Sequence, residues 1–142
     1  MKIAIGNDHQ GLKTKTKLVK YLTNNGFDMV NYGTDTDQSV DYPDYAKKVA
    51  TAVVAKEADL GILICKTGIG MSIACNKING AFCAKPANIK EAKLSREHNN
   101  ANVIAISGAE PFYKTKKLVA AFLNSSFSND QRHIKRLDKI GK

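Results

Sequence analysis

Apolar and polar residues alternate along this chain in blocks of two kinds. Five short runs either are almost wholly apolar or alternate apolar with polar residues, which is typical of β-strands. Between them, apolar residues recur every three or four positions, which predicts amphipathic helices. The predicted strands cover residues 2–5, 27–33, 60–65, 81–85 and 102–107, and the principal helices cover residues 10–24, 44–57, 88–97 and 113–124.

Strands that alternate with helices over the whole length predict an α/β fold with a single domain, residues 1–142. We expect a doubly wound, mostly parallel five-stranded sheet with helices on both faces and right-handed crossovers. A basic C-terminal helix is expected from residue 129 onward. With 142 residues, 43% of them hydrophobic, the chain is long enough for one domain with a substantial core.

Several classes of protein are disfavoured by the composition. No apolar run approaches the ~20 residues that span a bilayer, and the opening segment MKIAIGNDHQG turns polar too early for a secretory signal. We therefore expect a cytoplasmic protein without a membrane partner. The three cysteines, Cys65, Cys75 and Cys83, lack CxxC spacing, so free thiols are expected and no metal site is indicated.

The formal net charge of +9 favours anionic ligands. Only three of the 22 basic residues are arginines, and the lysines are scattered along the predicted helices without interleaved aromatic residues. This distribution is typical of a solvated surface, so no nucleic-acid partner is expected.

Ligands of doubly wound sheets bind beyond the carboxyl ends of the strands. We expect four loops to lie there, at residues 6–11, 35–44, 65–72 and 97–100. Together these loops contain the reactive or polar residues Asp8, His9, Tyr42, Cys65, Thr67, His98 and Asn99.

The segment ILICKTGIGMSIACNK, residues 62–77, joins a buried strand to a predicted helix through a turn that contains Gly68 and Gly70. Such a turn points successive N–H groups into one concavity at a helix amino terminus, where a phosphate or an oxyanion is stabilised and the pKa of a nearby thiol is lowered. Cys65 is therefore a candidate base or nucleophile. Its position fits equally well a small hydrophobic residue that fills the core. The turn has neither P-loop nor GxGxxG spacing.

Other polar residues also have two interpretations. Asp8 can act as an acid or base and His9 as a hydrogen-bond donor, but such residues after a strand also form ordinary turns and helix caps. His98 fits either catalysis or the carboxyl end of a helix. Three basic side chains in the tail, taken alone, favour a solvated surface: Arg132, His133 and Arg136.

Five segments, NDHQG, VDYPDYA, GILIC-TGIGMSIA-NKI-G, LSREHNNANVIA and RHIKRLDKI, occur in an order and spacing that resemble the ribose-5-phosphate isomerase B family. The resemblance covers essentially the whole chain. It implies a Rossmann-like αβα fold and a homodimer or dimer of dimers with active sites at the subunit interface. It also implies no metal or organic cofactor, a phosphorylated sugar as substrate, and interconversion of an aldose phosphate and a ketose phosphate.

The resemblance also implies a role for each matching residue. Cys65 is the base that moves a proton between C2 and C1. Thr67 and the backbone amides of the loop at 66–72 hold the enediolate, as in an oxyanion hole. Asp8 and His98, the latter from the partner subunit, open the sugar ring by general acid–base catalysis. The substrate-binding residues are His9, Arg132, His133 and Arg136 for the phosphate, Tyr42 and Asn99 for the sugar, and Lys66, Gly68, Ile69, Gly70 and Ser72 in the loop.

Three departures from the family pattern bear on the substrate. Lys66 stands where the family usually has glycine, Ala109 stands where an arginine commonly supports the phosphate, and DQRH replaces GGRH. The galactose-6-phosphate isomerase subunits also lack that arginine, which favours a hexose phosphate. Their light subunit generally lacks the base cysteine, however, and this chain keeps Cys65.

The leading hypothesis is therefore interconversion of D-ribose 5-phosphate and D-ribulose 5-phosphate. The alternatives are a hexose 6-phosphate isomerase acting on galactose 6-phosphate or allose 6-phosphate, and a catalytically weakened phosphosugar-binding relative. Lys66 has two interpretations as well. Its charge lowers the pKa of Cys65 and stabilises the enediolate, or, if the position needs a positive φ, it strains the loop.

Overall fold

Five strands form one sheet in the computed structural model, which describes residues 1–140. The strand order is β2-β1-β3-β5-β4, and every neighbouring pair is parallel, which confirms the doubly wound prediction and makes the sheet wholly parallel. Residues 141 and 142 of the predicted domain lie outside the described residues. The strands are β1 (Lys2–Asn7), β2 (Asp28–Asn31), β3 (Leu60–Cys65), β4 (Cys83–Ala84) and β5 (Val103–Ser107).

Helices connect the strands and follow the last one. They are α1 (Leu12–Asn24), α2 (Tyr42–Val54), α3 (Ile69–Cys75), α4 (Ile89–Glu97), α5 (Phe112–Leu123) and α6 (Gln131–Ile140), with a short 3-10 helix at His9–Gly11. α2 begins two residues before the predicted start because Pro43 fits the first helical turn, where no N–H is needed.

β4 is shorter than the predicted strand at 81–85. The main-chain N–H of Cys83 donates to Asn76 Oδ1 at 2.8 Å, and Asn76 Nδ2 donates to the Cys83 carbonyl at 2.9 Å. The Asn76 side chain thus satisfies the outer edge of β4, and the segment pairs with β5 over two residues.

The core has two layers, one on each face of the sheet. On one face, Val49 and Val53 of α2 and Met71 of α3 are fully or almost fully buried against Ala4 and Leu63. The other face is covered by α1 and α5, whose buried side chains include Leu18, Leu22 and Phe122. Residues of β3 are buried on both sides, which explains its uninterrupted apolar sequence.

β1 and β3 are neighbours, but the chain leaves them in opposite directions. After β1 it continues to β2 on one side, and after β3 it continues towards β4 on the other. The loops that follow these two strands therefore separate and leave a crevice at the carboxyl edge of the sheet. Residues 8–11 and 66–68 lie at this crevice.

One loop prediction is wrong. The loop at 97–100 follows α4 and precedes β5, so it lies at the amino edge of the parallel sheet. The Gly61 N–H, at the start of β3, donates to the Asn102 carbonyl at 2.9 Å, which fixes this segment beside the beginning of β3. Cys65 lies at the other end of the same strand, and four residues of strand span about 13 Å. His98 and Asn99 therefore do not reach Cys65 within one chain.

Candidate active site

Cys65 is the last residue of β3 and is 5% exposed. Its Sγ accepts a hydrogen bond from the Gly68 N–H at 3.1 Å, and its carbonyl accepts one from the Gly108 N–H at 2.8 Å. This main-chain donor ties the sulfur to the loop that follows β3. Burial alone fits a core residue, but the hydrogen bond to sulfur is a feature that a purely structural cysteine does not need.

Glycines fix the shape of the loop after Cys65. Gly68 has φ +78°, and a Cβ there would lie 3.0 Å from the main chain of Ile106. A Cβ on Gly70 would lie 2.6 Å from Cζ of Tyr42, so the tyrosine ring rests against this glycine. Tyr42 therefore covers the loop at Gly70, and 40% of the residue remains exposed to solvent.

Lys66 adopts an ordinary backbone conformation. Among residues 1–140, the only non-glycine residues with positive φ are Lys56, Asn100 and Asn129. The Lys66 carbonyl accepts a hydrogen bond from Ser107 Oγ at 2.6 Å, which anchors it to the end of β5, and its side chain is exposed. The strain interpretation of Lys66 is therefore wrong, and the electrostatic interpretation remains.

The rest of the loop is held by short-range hydrogen bonds. Thr67 Oγ1 accepts from the Ile69 N–H at 3.2 Å, and the Ser72 N–H donates to the Gly68 carbonyl at 3.1 Å. Ile69 is 53% exposed, and Ser72 is half-buried. α3 has only seven residues, so the predicted anion site depends on the loop amides rather than on a long helix dipole.

Asp8 forms the predicted cap and keeps one carboxylate oxygen free. It is 6% exposed, and its Oδ1 accepts from the N–H groups of Gln10 at 2.9 Å and Gly11 at 3.1 Å, which confirms the cap interpretation. Within residues 1–140, Oδ2 has no hydrogen-bond partner and is the oxygen available to a ligand. His9 Nδ1 accepts from the Val40 N–H at 3.2 Å, so the neutral ring carries its proton on Nε2, which is a donor.

Two residues that support the loop after β1 were not predicted from the sequence, Asn7 and Lys15. The buried Asn7 donates through Nδ2 to the carbonyls of Asp8 at 2.8 Å and Thr34 at 3.1 Å. The Lys15 ammonium, 4% exposed, donates to the Thr34 carbonyl at 2.7 Å and forms an ion pair with Asp35. Hydrogen bonding to Lys15 holds the pKa of Asp35 below its ordinary value. Lys15 lies three residues before Leu18, on the apolar face of α1, and that position was the available signal.

A second cluster lies at the amino edge of the sheet. The rings of His98 and His133 stack with centroids 4.3 Å apart and an interplanar angle of 16°. The Ser128 N–H donates to the Glu97 carbonyl at 3.0 Å, which attaches the segment before α6 to the end of α4. His133 is 5% exposed, and its buried Nε2 has no hydrogen-bond partner within residues 1–140. An unsatisfied buried nitrogen among basic groups suits an anionic oxygen.

The structure therefore assembles the predicted site residues into two separate groups. The carboxyl-edge cluster contains Asp8, His9, Tyr42, Cys65 and Thr67, together with Lys66, Gly68, Ile69, Gly70 and Ser72 of the loop. The amino-edge cluster contains His98, Asn99, Arg132, His133 and Arg136. Asn99, Arg132 and Arg136 are exposed, and Arg132 Nε lies 3.1 Å from Asp130 Oδ2. A single chain does not bring the two clusters together.

The free energy of unfolding should depend on pH through His133. Burial lowers the pKa of His133 below its ordinary 6.5, and the charges of His98, Arg132 and Arg136 lower it further, opposed by Asp130. The folded state then binds this proton less tightly than the unfolded state, so the free energy of unfolding falls as the pH drops below about 6.5. Urea denaturation between about pH 7.5 and about pH 5 should show a smaller loss of stability for His133→Asn than for the unmodified protein. Equal losses would contradict the assignment to His133.

The other two cysteines differ from Cys65. All three are free thiols, and Cys75 is fully buried. A hydrogen bond with Cys75 and burial raise the pKa of the Cys83 thiol well above its ordinary value. Cys83 is thus held in its unreactive protonated form.

Neither a membrane-spanning helix nor a cluster of metal ligands is present in the described residues. From residue 1 to residue 140, no helix combines the length and apolar character that crossing a bilayer requires. Over the same part of the chain, no group of three or more His, Cys, Asp or Glu side chains is placed to hold a metal ion.

Known proteins of one family are similar to this chain over nearly its whole length. A family model described as Ribose/Galactose Isomerase matches residues 3–140. The ribose-5-phosphate isomerase B of Escherichia coli is 41% identical over 143 residues, which cover 98% of this chain and 93% of that protein.

Solved structures show the same similarity in three dimensions. The Clostridium thermocellum ribose-5-phosphate isomerase B is 42% identical, with a TM-score of 0.96 over 99% of this chain and 95% of that one. The Mycoplasma genitalium enzyme of the same name, solved with bound ribulose 5-phosphate, is 39% identical, with a TM-score of 0.92 over 98% of this chain and 93% of that one.

Proposed function

We propose that this chain, which belongs to the ribose/galactose isomerase family, interconverts D-ribose 5-phosphate and D-ribulose 5-phosphate. The observation that carries the proposal is the hydrogen bond from the Gly68 N–H to Cys65 Sγ at the crevice of the sheet. It holds the Cys65 sulfur beside the loop amides, an arrangement that suits a base working next to an oxyanion-binding loop. A similar protein from Mycoplasma genitalium was solved with ribulose 5-phosphate bound.

The proposed reaction moves one proton between adjacent carbons. The Cys65 thiolate removes the proton from C2 of the open-chain aldose, and the C2–H electron pair forms the enediolate double bond. The resulting thiol returns the proton to C1, while a proton moves between the two oxygens, so atoms and charge balance. Thr67 and the loop amides donate to the enediolate oxygens, where negative charge develops.

Ring opening must come before this step, because the aldose phosphate is mostly cyclic. Asp8 Oδ2, which is free while Oδ1 is held by two main-chain N–H groups, is placed to exchange a proton with the sugar. The partner subunit's His98 is the second acid–base group. Tyr42 and the partner subunit's Asn99 position the sugar, and the Nε2–H of His9 donates to the phosphate.

The two clusters lead us to propose a homodimer with shared active sites. Around a twofold axis, the carboxyl-edge cluster of one subunit can face the amino-edge cluster of its partner, and the second pair forms by symmetry. The exposed Arg132 and Arg136, with His133 beside them, then bind the phosphate of a sugar whose C1 and C2 lie against the partner's Cys65. A dimer of such dimers preserves the same sites.

A parallel assay of several substrates tests the proposed function. Isomerisation of ribose 5-phosphate, allose 6-phosphate and galactose 6-phosphate should be followed under identical conditions, and the highest kcat/KM is expected for ribose 5-phosphate. The hexose phosphates are included because Ala109 and Glu110 supply no cation at the end of β5, where relatives that use pentoses commonly have arginine. A higher kcat/KM for a hexose phosphate would replace the pentose assignment, and no turnover of any of them would favour a binding protein.

Lys66→Gly should decrease activity. Because Lys66 has an ordinary backbone conformation, glycine relieves no strain, and it removes a positive charge from the residue after Cys65. The thiolate and the enediolate each lose electrostatic stabilisation, so we expect kcat/KM to fall about threefold to tenfold at low ionic strength and the pH–rate profile to shift to higher pH. Lys77→Gln, which removes an exposed charge beyond α3, is the matched control. Unchanged or increased activity of Lys66→Gly would contradict the electrostatic role.

A further inference from the structure

A cavity of about 660 Å³ opens at the carboxyl ends of β4 and β5, between the beginnings of α4 and α5. Its volume lies within the range of small-molecule sites. Ala105, Ile106 and Leu118 supply apolar lining. None of Asp8, His9, Tyr42, Cys65 or Thr67 lines it, so it is distinct from the carboxyl-edge cluster, although its lining residue Ser107 donates to the Lys66 carbonyl and the two sites are therefore neighbours.

Two large side chains that line this cavity are left unusually exposed. Tyr113, in the first turn of α5, is 58% exposed, and Ile89, the first residue of α4, is 50% exposed. An exposed aromatic ring on one side and an aliphatic side chain on the other provide surfaces for a flat apolar ligand group. The lining therefore favours a ligand with a planar ring.

The charges of the lining favour an anion. Its titratable side chains are Lys85, Lys90, Glu110, Lys114 and Lys117, that is, four lysines and one carboxylate. Glu110 Oε2 lies 3.3 Å from Lys114 Nζ, so these two charges are paired. Within residues 1–140, the other three ammonium groups have no carboxylate at salt-bridge distance, and they leave an excess of positive charge around an apolar floor.

The amino terminus of α4 is already occupied by its own cap. Asn88 Oδ1 accepts from the Glu91 N–H at 2.9 Å, and the Glu91 carboxylate accepts from Asn88 Nδ2 and from the Ala87 N–H, both at 2.8 Å. An anion in this cavity is therefore held by the lysine side chains and not by the helix end. Lys90 extends from α4 and Lys117 from α5, one on each side of the cavity.

We propose that this cavity binds a nucleotide. The planar base lies against Tyr113 and the apolar floor, and the phosphate is bound by Lys90 and Lys117.

Isothermal titration calorimetry with adenosine 5′-monophosphate tests the proposal. We expect saturable binding of one nucleotide per chain, weakened by added NaCl, and no binding of adenosine or inorganic phosphate at the same concentrations. The double variant Lys90→Gln/Lys117→Gln should weaken binding about tenfold or more, and Tyr113→Ala should weaken it independently. The matched control is Lys20→Gln/Lys47→Gln, which removes two exposed charges from α1 and α2 and should bind normally.

Three results would overturn the proposal: no saturable binding, equal affinity of the cavity variants and the control, or displacement of the nucleotide by ribose 5-phosphate. The last result would place the nucleotide in the isomerase site. Isomerase activity of the cavity variants is measured in parallel and should stay normal, so failure of this proposal is distinguishable from failure of the proposed function. If the cavity variants lose self-association together with nucleotide binding, the cavity is a subunit interface instead.

Discussion

Cys65→Ala is expected to lower kcat for isomerisation by roughly a thousandfold or more, because it removes the group that we propose carries the proton between C2 and C1. The hydrogen bonds that shape the loop involve main-chain groups of Gly68, Ser72 and Gly108 and the hydroxyl of Ser107, so the loop has other anchors after the sulfur is lost. Substrate affinity should change little, since we propose that the amino-edge cluster binds the phosphate. Steady-state kinetics and a direct binding titration measure the two quantities separately.

Cys83→Ala is the matched control for this prediction. Cys83 is more exposed than Cys65, but its hydrogen bond with Cys75 and its burial raise its thiol pKa. We therefore expect the control to keep its activity, and iodoacetamide to modify Cys65 faster than Cys83, with protection by substrate. Equal modification of the cysteines, or a near-normal rate for Cys65→Ala, would return Cys65 to the role of a core residue.

The sequence was sufficient to predict the fold because a parallel sheet covered on both faces gives a distinct pattern. β3 and β5 are continuous apolar runs, and the helices between strands bury one face each. The predicted strand at 81–85 is longer than the observed two-residue β4, whose outer edge is bonded by the side chain of Asn76 and not by another strand.

The candidate site was less predictable than the fold. The turn glycines and Cys65 are close in sequence, so local geometry connects them. The backbone angle of Lys66 is fixed by Ser107, 41 residues away, and so could not be predicted from the sequence. The hydrogen bond from Asn7 to the Thr34 carbonyl and the ion pair of the buried Lys15 with the exposed Asp35 also depend on contacts between distant segments.

The error at residues 97–100 has a specific origin. The segment contains polar residues, His98 and Asn99, as the loops after strands do. It follows a helix and precedes a strand, however. Chain order alone places such a loop at the amino edge of a parallel sheet. This correction is also what separates the two clusters and makes the shared site of a homodimer a testable consequence of topology.

A heterodimer of two inactive variants is expected to recover about half of the activity of the unmodified dimer. One subunit carries Cys65→Ala, in the carboxyl-edge cluster, and the other carries His98→Ala together with Arg136→Ala, in the amino-edge cluster. If each active site combines the carboxyl-edge cluster of one subunit with the amino-edge cluster of its partner, one of the two sites contains all the substitutions and the other contains none. Each homodimer should be essentially inactive.

Co-expression with two different affinity tags, followed by sequential purification, isolates this heterodimer for steady-state kinetics. The control heterodimer pairs Cys65→Ala with Asp8→Asn. Both substitutions lie in the carboxyl-edge cluster, so each of its sites retains one defect and no recovery is expected. Activity in the first heterodimer but not in the control can arise only if the clusters meet across subunits, because each chain of the first pair has one intact cluster. An inactive first heterodimer would mean that the amino-edge cluster does not complete the site of the partner, and the phosphate role of Arg136 and His133 would then have to be abandoned.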